Sequence, residues 1–175
     1  KAAAILIAYG GCITEYEGAD KVPGPVVPII AVPTTAGTGS EVTSFAVITD
    51  HSRNYKLTVS SNYLLPAYAI LDPELICSVP ENTAAACGVD ALVHALEAYL
   101  SLAASPFSDM FAMQALRMIG KNLCAYVANR KNEAAAEAML AGSLFAGIAF
   151  SHARLGDVHA MSHPVSACFN VAHGV

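Results

Sequence analysis

Charge is scarce in this chain. Only 13% of its 175 residues are Asp, Glu, Lys or Arg, about half the ~25% usual in a soluble domain. That scarcity predicts a large buried core, or surface that something else normally covers. The chain has no Lys/Arg run and a formal net charge of −5, which speaks against nucleic acid as a partner. Long apolar runs are also missing: the stretch 138–150 falls short of the roughly 20 residues a membrane span needs. No signal-peptide pattern follows Lys1. CxxC spacing is absent too, and the five cysteines (Cys12, Cys77, Cys87, Cys124, Cys168) are odd in number. They read as buried reduced thiols, not as a disulfide framework. The expectation is a cytoplasmic protein with no membrane partner, whose 55% hydrophobic content favours a homo-oligomer.

The chain changes character near residue 80. Before it, β-rich runs at 26–32, 44–49, 56–60 and 67–71 alternate with turns. Pro and Gly cluster at 22–28 and 33–39, marking loops. After it, apolar periodicity predicts helices at about 80–101, 106–128, 132–151 and 156–168. Pro80 stands at a favourable first position, and Pro164 should kink, end or restart the last helix. This predicts an α/β part over 1–79 and an all-helical part over 80–175. Lys1-Ala-Ala-Ala-Ile-Leu6 reads as the interior or end of a helix, and His173 stands almost last. Both ends therefore predict a segment of a longer enzyme.

The loop Pro33-Thr-Thr-Ala-Gly-Thr-Gly-Ser-Glu41 follows an apolar strand. Small residues and hydroxyls there permit close approach to a phosphate or ribose. The loop lacks the Gly-Lys-Ser/Thr ending of a P-loop and is not the dinucleotide fingerprint. Its plain alternative is a tight turn with a helix cap at Ser40. Lys56 reads either as a solvated edge-strand residue or as a positive contact to an anionic cofactor.

Asp90 and His94 are four residues apart, one turn of a helix, in an otherwise apolar stretch; His159 and His163 repeat that spacing. Burying a carboxylate and an imidazole costs several kcal/mol unless they pair or bind a metal. A buried Asp–His hydrogen bond is the simpler alternative. With His159, His163 and His173 added, the balance favours an O/N site for Fe(II), Zn(II), Mn(II) or Co(II). Glu97 and Glu41 belong to the same neighbourhood but read as surface or capping residues. His51 and His152 have no recruiting spacing and read as structural.

The loop 33–41, then Gly88-Val-Asp-Ala-Leu-Val-His-Ala-Leu-Glu-Ala-Tyr-Leu-Ser101, His159-Ala-Met-Ser-His163 and His173-Gly174 together resemble the iron-containing (group III) alcohol dehydrogenases. The match extends over essentially the whole chain. The resemblance implies an α/β nucleotide-binding part followed by an all-helical metal-binding part, the dehydroquinate synthase-like architecture, incomplete at both ends. It implies Asp90, His94, His159 and His173 as ligands of Fe(II) or Zn(II), and His163 as a histidine between metal and nicotinamide. It implies Thr34, Thr35, Gly37, Thr38, Lys56 and Leu71 as contacts to NAD or NADP. The implied activity interconverts an alcohol and an aldehyde or ketone by hydride transfer, with His163 relaying the proton. A glycerol-dehydrogenase-like zinc enzyme of the same fold, or an inactive metal-binding fragment, is the alternative. The chain departs from the family's pattern at His152, Asp157, Ser166 and Ala167, which bears on substrate choice.

Overall fold

Short strands separated by turns build the first part of the chain in the computed structural model, which describes residues 1–169, 171, 173 and 174. Helix α1 (Ala2–Tyr9) is followed by β1 (Gly18–Ala19), β2 (Ile30–Ala31), β3 (Phe45–Asp50), β4 (Tyr55–Ser60) and β5 (Tyr68–Ala69). β4 is central, with β3 antiparallel on one side and β1 parallel on the other. β2 and β5 form a separate parallel pair, Ile30 opposite Tyr68 and Ala31 opposite Ala69. Asp50 closes the β3–β4 turn by accepting hydrogen bonds from Ser52 and Arg53, and Asn54 takes the left-handed conformation (φ 47°). Ile5, Leu57, Val59 and Leu64 form the apolar centre of this part.

The strands expected at 26–32 and 67–71 shrink to two residues each. Pro28, Pro33 and Pro66 flank them and have no N–H with which to extend a ladder. Lys56 also corrects an expectation: it lies in the central strand, not an edge strand. Because β1 pairs only with Val59 and Ser60, the Lys56 end of β4 is still open on that side.

The second part is helical: α2 (Glu81–Leu100), α3 (Pro106–Ala128), α4 (Glu133–Ala153) and α5 (Asp157–Phe169). Local chemistry sets the starts. Ser105 and Ser108 form a capping box ahead of Pro106, and the Asn132 side chain accepts from Ala135 N at 3.2 Å. Helices α2, α3 and α4 pack against one another through Ala91, Ala95, Ala115, Ala136 and Ala146, all buried. Glycines allow the closest approaches: a Cβ on Gly88 would lie 2.2 Å from Leu123 Cδ1, and one on Gly142 2.7 Å from Ile119 Cγ1. Buried Tyr126 of α3 donates its hydroxyl to the Ile76 carbonyl at 2.8 Å, tying the bundle to the preceding segment.

The structure bears on three further expectations. Helix α4 is 21 residues, long and apolar enough by composition to cross a bilayer, unlike the shorter run considered above. Its buried face is taken up by α2 and α3. All five cysteines are free, but none is buried: Cys12, Cys124 and Cys168 are exposed, Cys77 and Cys87 half-buried. Cys12 and Cys77 flank short helical turns, and Cys124 and Cys168 lie on exposed faces of α3 and α5. Finally, α5 runs through Pro164 without ending. The bond that proline forgoes would have gone to Ala160, which is exposed and has access to water.

Candidate metal centre and cofactor loop

Helical spacing puts Asp90 and His94 on one face of α2, and both are buried. His159 comes from the first turn of α5 and is also buried, while His173 comes from the C-terminal segment. Asp90 Oδ1 is their common point: His159 Nε2 lies 3.4 Å away, His173 Nε2 3.7 Å and His94 Nε2 3.8 Å. Four donors bonded tetrahedrally at 2.0–2.2 Å would stand about 3.4 Å apart. Donor atoms of Asp90, His159 and His173 all lie within 4.8 Å of one another. His94 completes the set through Asp90 and not as a member of that trio. Nδ1 of His173 is buried and has no hydrogen-bond partner among the described residues. Three imidazoles, one carboxylate and no thiolate suit a borderline divalent ion.

The electrostatics favour the ligand forms of Asp90, His94 and His173. Burial first, then the neighbouring His159 and His173, lower His94 to about 4, so its imidazole is neutral, as metal binding requires. Burial and the charge of Lys56 also lower His173. For Asp90, burial acts upward, but the hydrogen bond with His159 and the charges of His94 and His173 outweigh it, leaving the carboxyl below its usual range. His159 goes the other way. Burial acts downward, yet the bonds to Asp90 and Glu97 raise it overall.

His94 Nδ1 donates to the Gly37 carbonyl at 3.3 Å, and its ring stacks on Phe150 (centroids 4.5 Å apart) and on His159 (4.3 Å). His163 lies in the next layer, 4.8 Å from the His173 ring and 6.2 Å from the His159 ring. Burial, then His173 and Lys56, lower His163 to about 4.

The loop after β2 reaches this centre. Gly37 is buried against Cys87 of α2, and Gly39, at φ 57°, crosses Gly147 of α4 so closely that a Cβ on Gly39 would lie 2.7 Å from Gly147 Cα. Thr34 and Thr38 are exposed and Thr35 half-buried. Leu71 follows β5, as Thr34 follows β2, and Ile70 N donates to Ala31 O at 2.9 Å. Both therefore stand at the carboxyl ends of the parallel pair, the side on which open α/β sheets bind ligands. The helix cap expected at Ser40 is not made by its side chain: Thr38 Oγ1 accepts from Ser40 N at 3.3 Å.

Two residues read from the sequence as surface or capping are buried, Glu97 and Glu41. Glu97 Oε2 accepts from His159 Nδ1 at 2.5 Å, and Oε1 accepts from Val158 N at 2.7 Å. So Glu97 does cap α5, but from inside the site. Its position seven residues after Asp90, on the same helix face, was a usable signal. Phe150 had none. Glu41 lies near Lys1, and burial raises its carboxyl. His51 and His152 are exposed, and the His152 ring meets the Phe107 ring edge-on.

A parallel-strand loop seated on a helical bundle thus stands beside one carboxylate and three imidazoles. The chain belongs to the iron-containing alcohol dehydrogenase family: residues 1–73 match its iron-containing alcohol dehydrogenase model, and residues 84–175 its C-terminal model. It is 45% identical to the NAD-dependent methanol dehydrogenase of Bacillus methanolicus, over all of this chain and 46% of that protein. Identity to the 1,3-propanediol dehydrogenase of Klebsiella pneumoniae is 43%, over all of this chain and 45% of the relative. A crystal structure of 1,3-propanediol oxidoreductase superposes with a TM-score of 0.93 at 43% identity, over 99% of this chain and 45% of that one. The sulfoacetaldehyde reductase of Bifidobacterium kashiwanohense, solved in complex with NAD+, superposes at 0.89 with 37% identity, over 99% and 46% of the two chains. The chain thus spans a little under half the length of the relatives it matches.

Proposed function

We propose that this chain carries the metal centre and part of the cofactor site of an NAD(P)-dependent oxidoreductase that interconverts an alcohol and an aldehyde or ketone. The observation that supports this best is the convergence of three imidazole nitrogens within 3.8 Å of Asp90 Oδ1, directly beside the loop after β2. In this reading residues 1–79 belong to the dinucleotide-binding domain and residues 80–175 to the helical catalytic domain.

Asp90, His94, His159 and His173 hold Fe(II) or Zn(II), whose Lewis acidity toward a substrate oxygen eases loss of the alcohol proton. Thr34, Thr35, Gly37, Thr38 and Leu71 line the carboxyl ends of β2 and β5 and receive NAD or NADP. Lys56 supplies the positive charge for its anionic part. His163 handles the proton: burial and cationic neighbours keep its imidazole neutral, able to accept a proton on one nitrogen while releasing one from the other. Exposed Leu100, Leu102 and Phe169 support a homo-oligomer or cover by further chain.

Reduction of NAD or NADP by short primary alcohols tests the reading. Activity is expected in purified protein loaded with Fe(II) or Zn(II), lost on chelation and restored by either ion. A metal-loaded protein that binds NAD yet oxidises no alcohol and reduces no aldehyde would sink it.

A further inference from the structure

Glu97 is a carboxylate with both oxygens engaged and no Lys or Arg partner among the described residues. It is 9% exposed, and its acceptors take two N–H donors that are adjacent in sequence, Val158 N and His159 Nδ1. Gly156 makes the room: a Cβ there would lie 3.0 Å from Glu97 Oε1. We propose that Glu97 is a positioning residue that fixes the tautomer and ring orientation of His159, and through it the metal affinity of the centre. The inference rests on the metal-site reading above.

A neutral imidazole has one N–H and one lone pair. Donation from Nδ1 to Glu97 leaves the lone pair on Nε2, the atom 3.4 Å from Asp90 Oδ1. With a divalent ion bound, both atoms would serve as ligands to it; without one, a protonated Nε2 donates to Asp90 instead. A carboxylate behind a ligating histidine also raises the basicity of the nitrogen that binds. The second contact, to Val158 N, locks the first turn of α5 onto α2, so one side chain sets both where the helix starts and how the ring is turned.

Glutamine cannot replace it. Its amide has one acceptor oxygen, so whichever way it turns, its NH2 group faces either the Val158 N–H or His159 Nδ1. In the second case it donates to Nδ1 and moves the imidazole proton to Nε2, where the ion must bind. Aspartate keeps two acceptors on a stem shorter by one carbon.

Co(II) titration of the purified protein, followed by its visible absorption, tests this in wild type, Glu97→Gln and Glu97→Asp, with thermal melting of each metal-free protein as the control. Glu97→Gln is expected to weaken Co(II) binding roughly 10- to 100-fold and to alter the spectrum, with Glu97→Asp recovering part of the affinity. A residue that merely caps α5 would lower the melting temperature and leave Co(II) affinity and spectrum as in wild type; that result overturns the proposal. Should Glu97→Gln fail to fold, nitrogen-15 NMR of Zn(II)-loaded wild type decides: a proton on His159 Nδ1 supports the proposal, and a metal-bound Nδ1 overturns it. Wild type that binds neither ion removes the metal-site reading itself, and this inference with it. Wild-type binding with an unaffected Glu97→Gln removes only the inference.

Discussion

The backbone carbonyl of Gly37 and Nδ1 of His94 share a hydrogen bond of 3.3 Å, 57 residues apart in the chain. A carbonyl can only accept, so the proton is on Nδ1 and the His94 lone pair is on Nε2, toward Asp90. The loop proposed to receive the dinucleotide thus orients a proposed metal ligand directly.

Replacing His94 with Ala removes both roles. Elemental analysis after anaerobic purification is expected to find a metal ion in wild type and little in His94→Ala. The variant's NAD affinity is expected to fall as well, because Gly37 loses its anchor. Equal metal content in the two proteins would remove His94 from the ligand set.

Stability should follow the ion. A ligand held at 100 times its dissociation constant stabilises a fold by about 2.7 kcal/mol, or roughly 5–10 °C in a domain of this size. Chelation is expected to lower the melting temperature by that order, and Zn(II) to restore it. A melting curve indifferent to chelator would mean that no site of useful affinity exists.

His163→Ala separates proton handling from metal binding. Turnover is expected to drop on the order of 10²-fold with metal content nearly unchanged. Loss of the ion in this variant would place His163 among the ligands instead.

Two glycines should respond to alanine with opposite sign. At Gly147 a Cβ would come within 2.8 Å of Val42 Cγ2 and 3.0 Å of Gly39 Cα, so Gly147→Ala is expected to destabilise by about 1–3 kcal/mol and to weaken NAD binding by displacing the loop. Gly120 sits mid-helix in α3 with nothing within 4 Å of its added Cβ, so Gly120→Ala is expected to stabilise by about 0.5–1 kcal/mol. Denaturant melts compare the two.

Tyr126 gives the alkaline limit. Burial first, then the charges of Cys77 and Cys87, push its phenol up to about 12, above the ~10 of an unfolded chain. Between those values the folded state holds a proton that the unfolded state has released, so stability falls as pH rises through the interval and is unaffected below it. Ultraviolet titration of the seven tyrosines should show one that ionises late, together with unfolding. In Tyr126→Phe that late component should vanish.

Much of this architecture was legible because local chemistry marks it. Ser105-Pro106 announces the start of α3, whose observed limits coincide with those read from periodicity. The Asp90/His94 spacing needed only a helix to become a shared face. Pairing length was not legible: the apolar residues at 26–32 and 67–71 look like strand, but the prolines around them leave two paired residues each. Nor was the centrality of β4, which depends on the distant β1. Glu97 and Phe150 show why a ligand list read from sequence stops early. What surrounds a ligand is chosen by how α2, α4 and α5 meet, and no spacing along one helix records that.

His94 stacked on Phe150 and His159, bonded to Gly37, and His159 bonded to Glu97 have little rotational freedom left. Most of the ordering of these two rings happens when the chain folds, not when an ion arrives. An ion bound as proposed would therefore meet two of its ligands already set, and their geometry would do little to discriminate among borderline cations of similar radius. Which metal filled the proposed site would then be a matter of supply in the cell and of intrinsic ligand preference. Iron-loaded and zinc-loaded forms would be two states of one unchanged scaffold, differing in the chemistry of the ion alone.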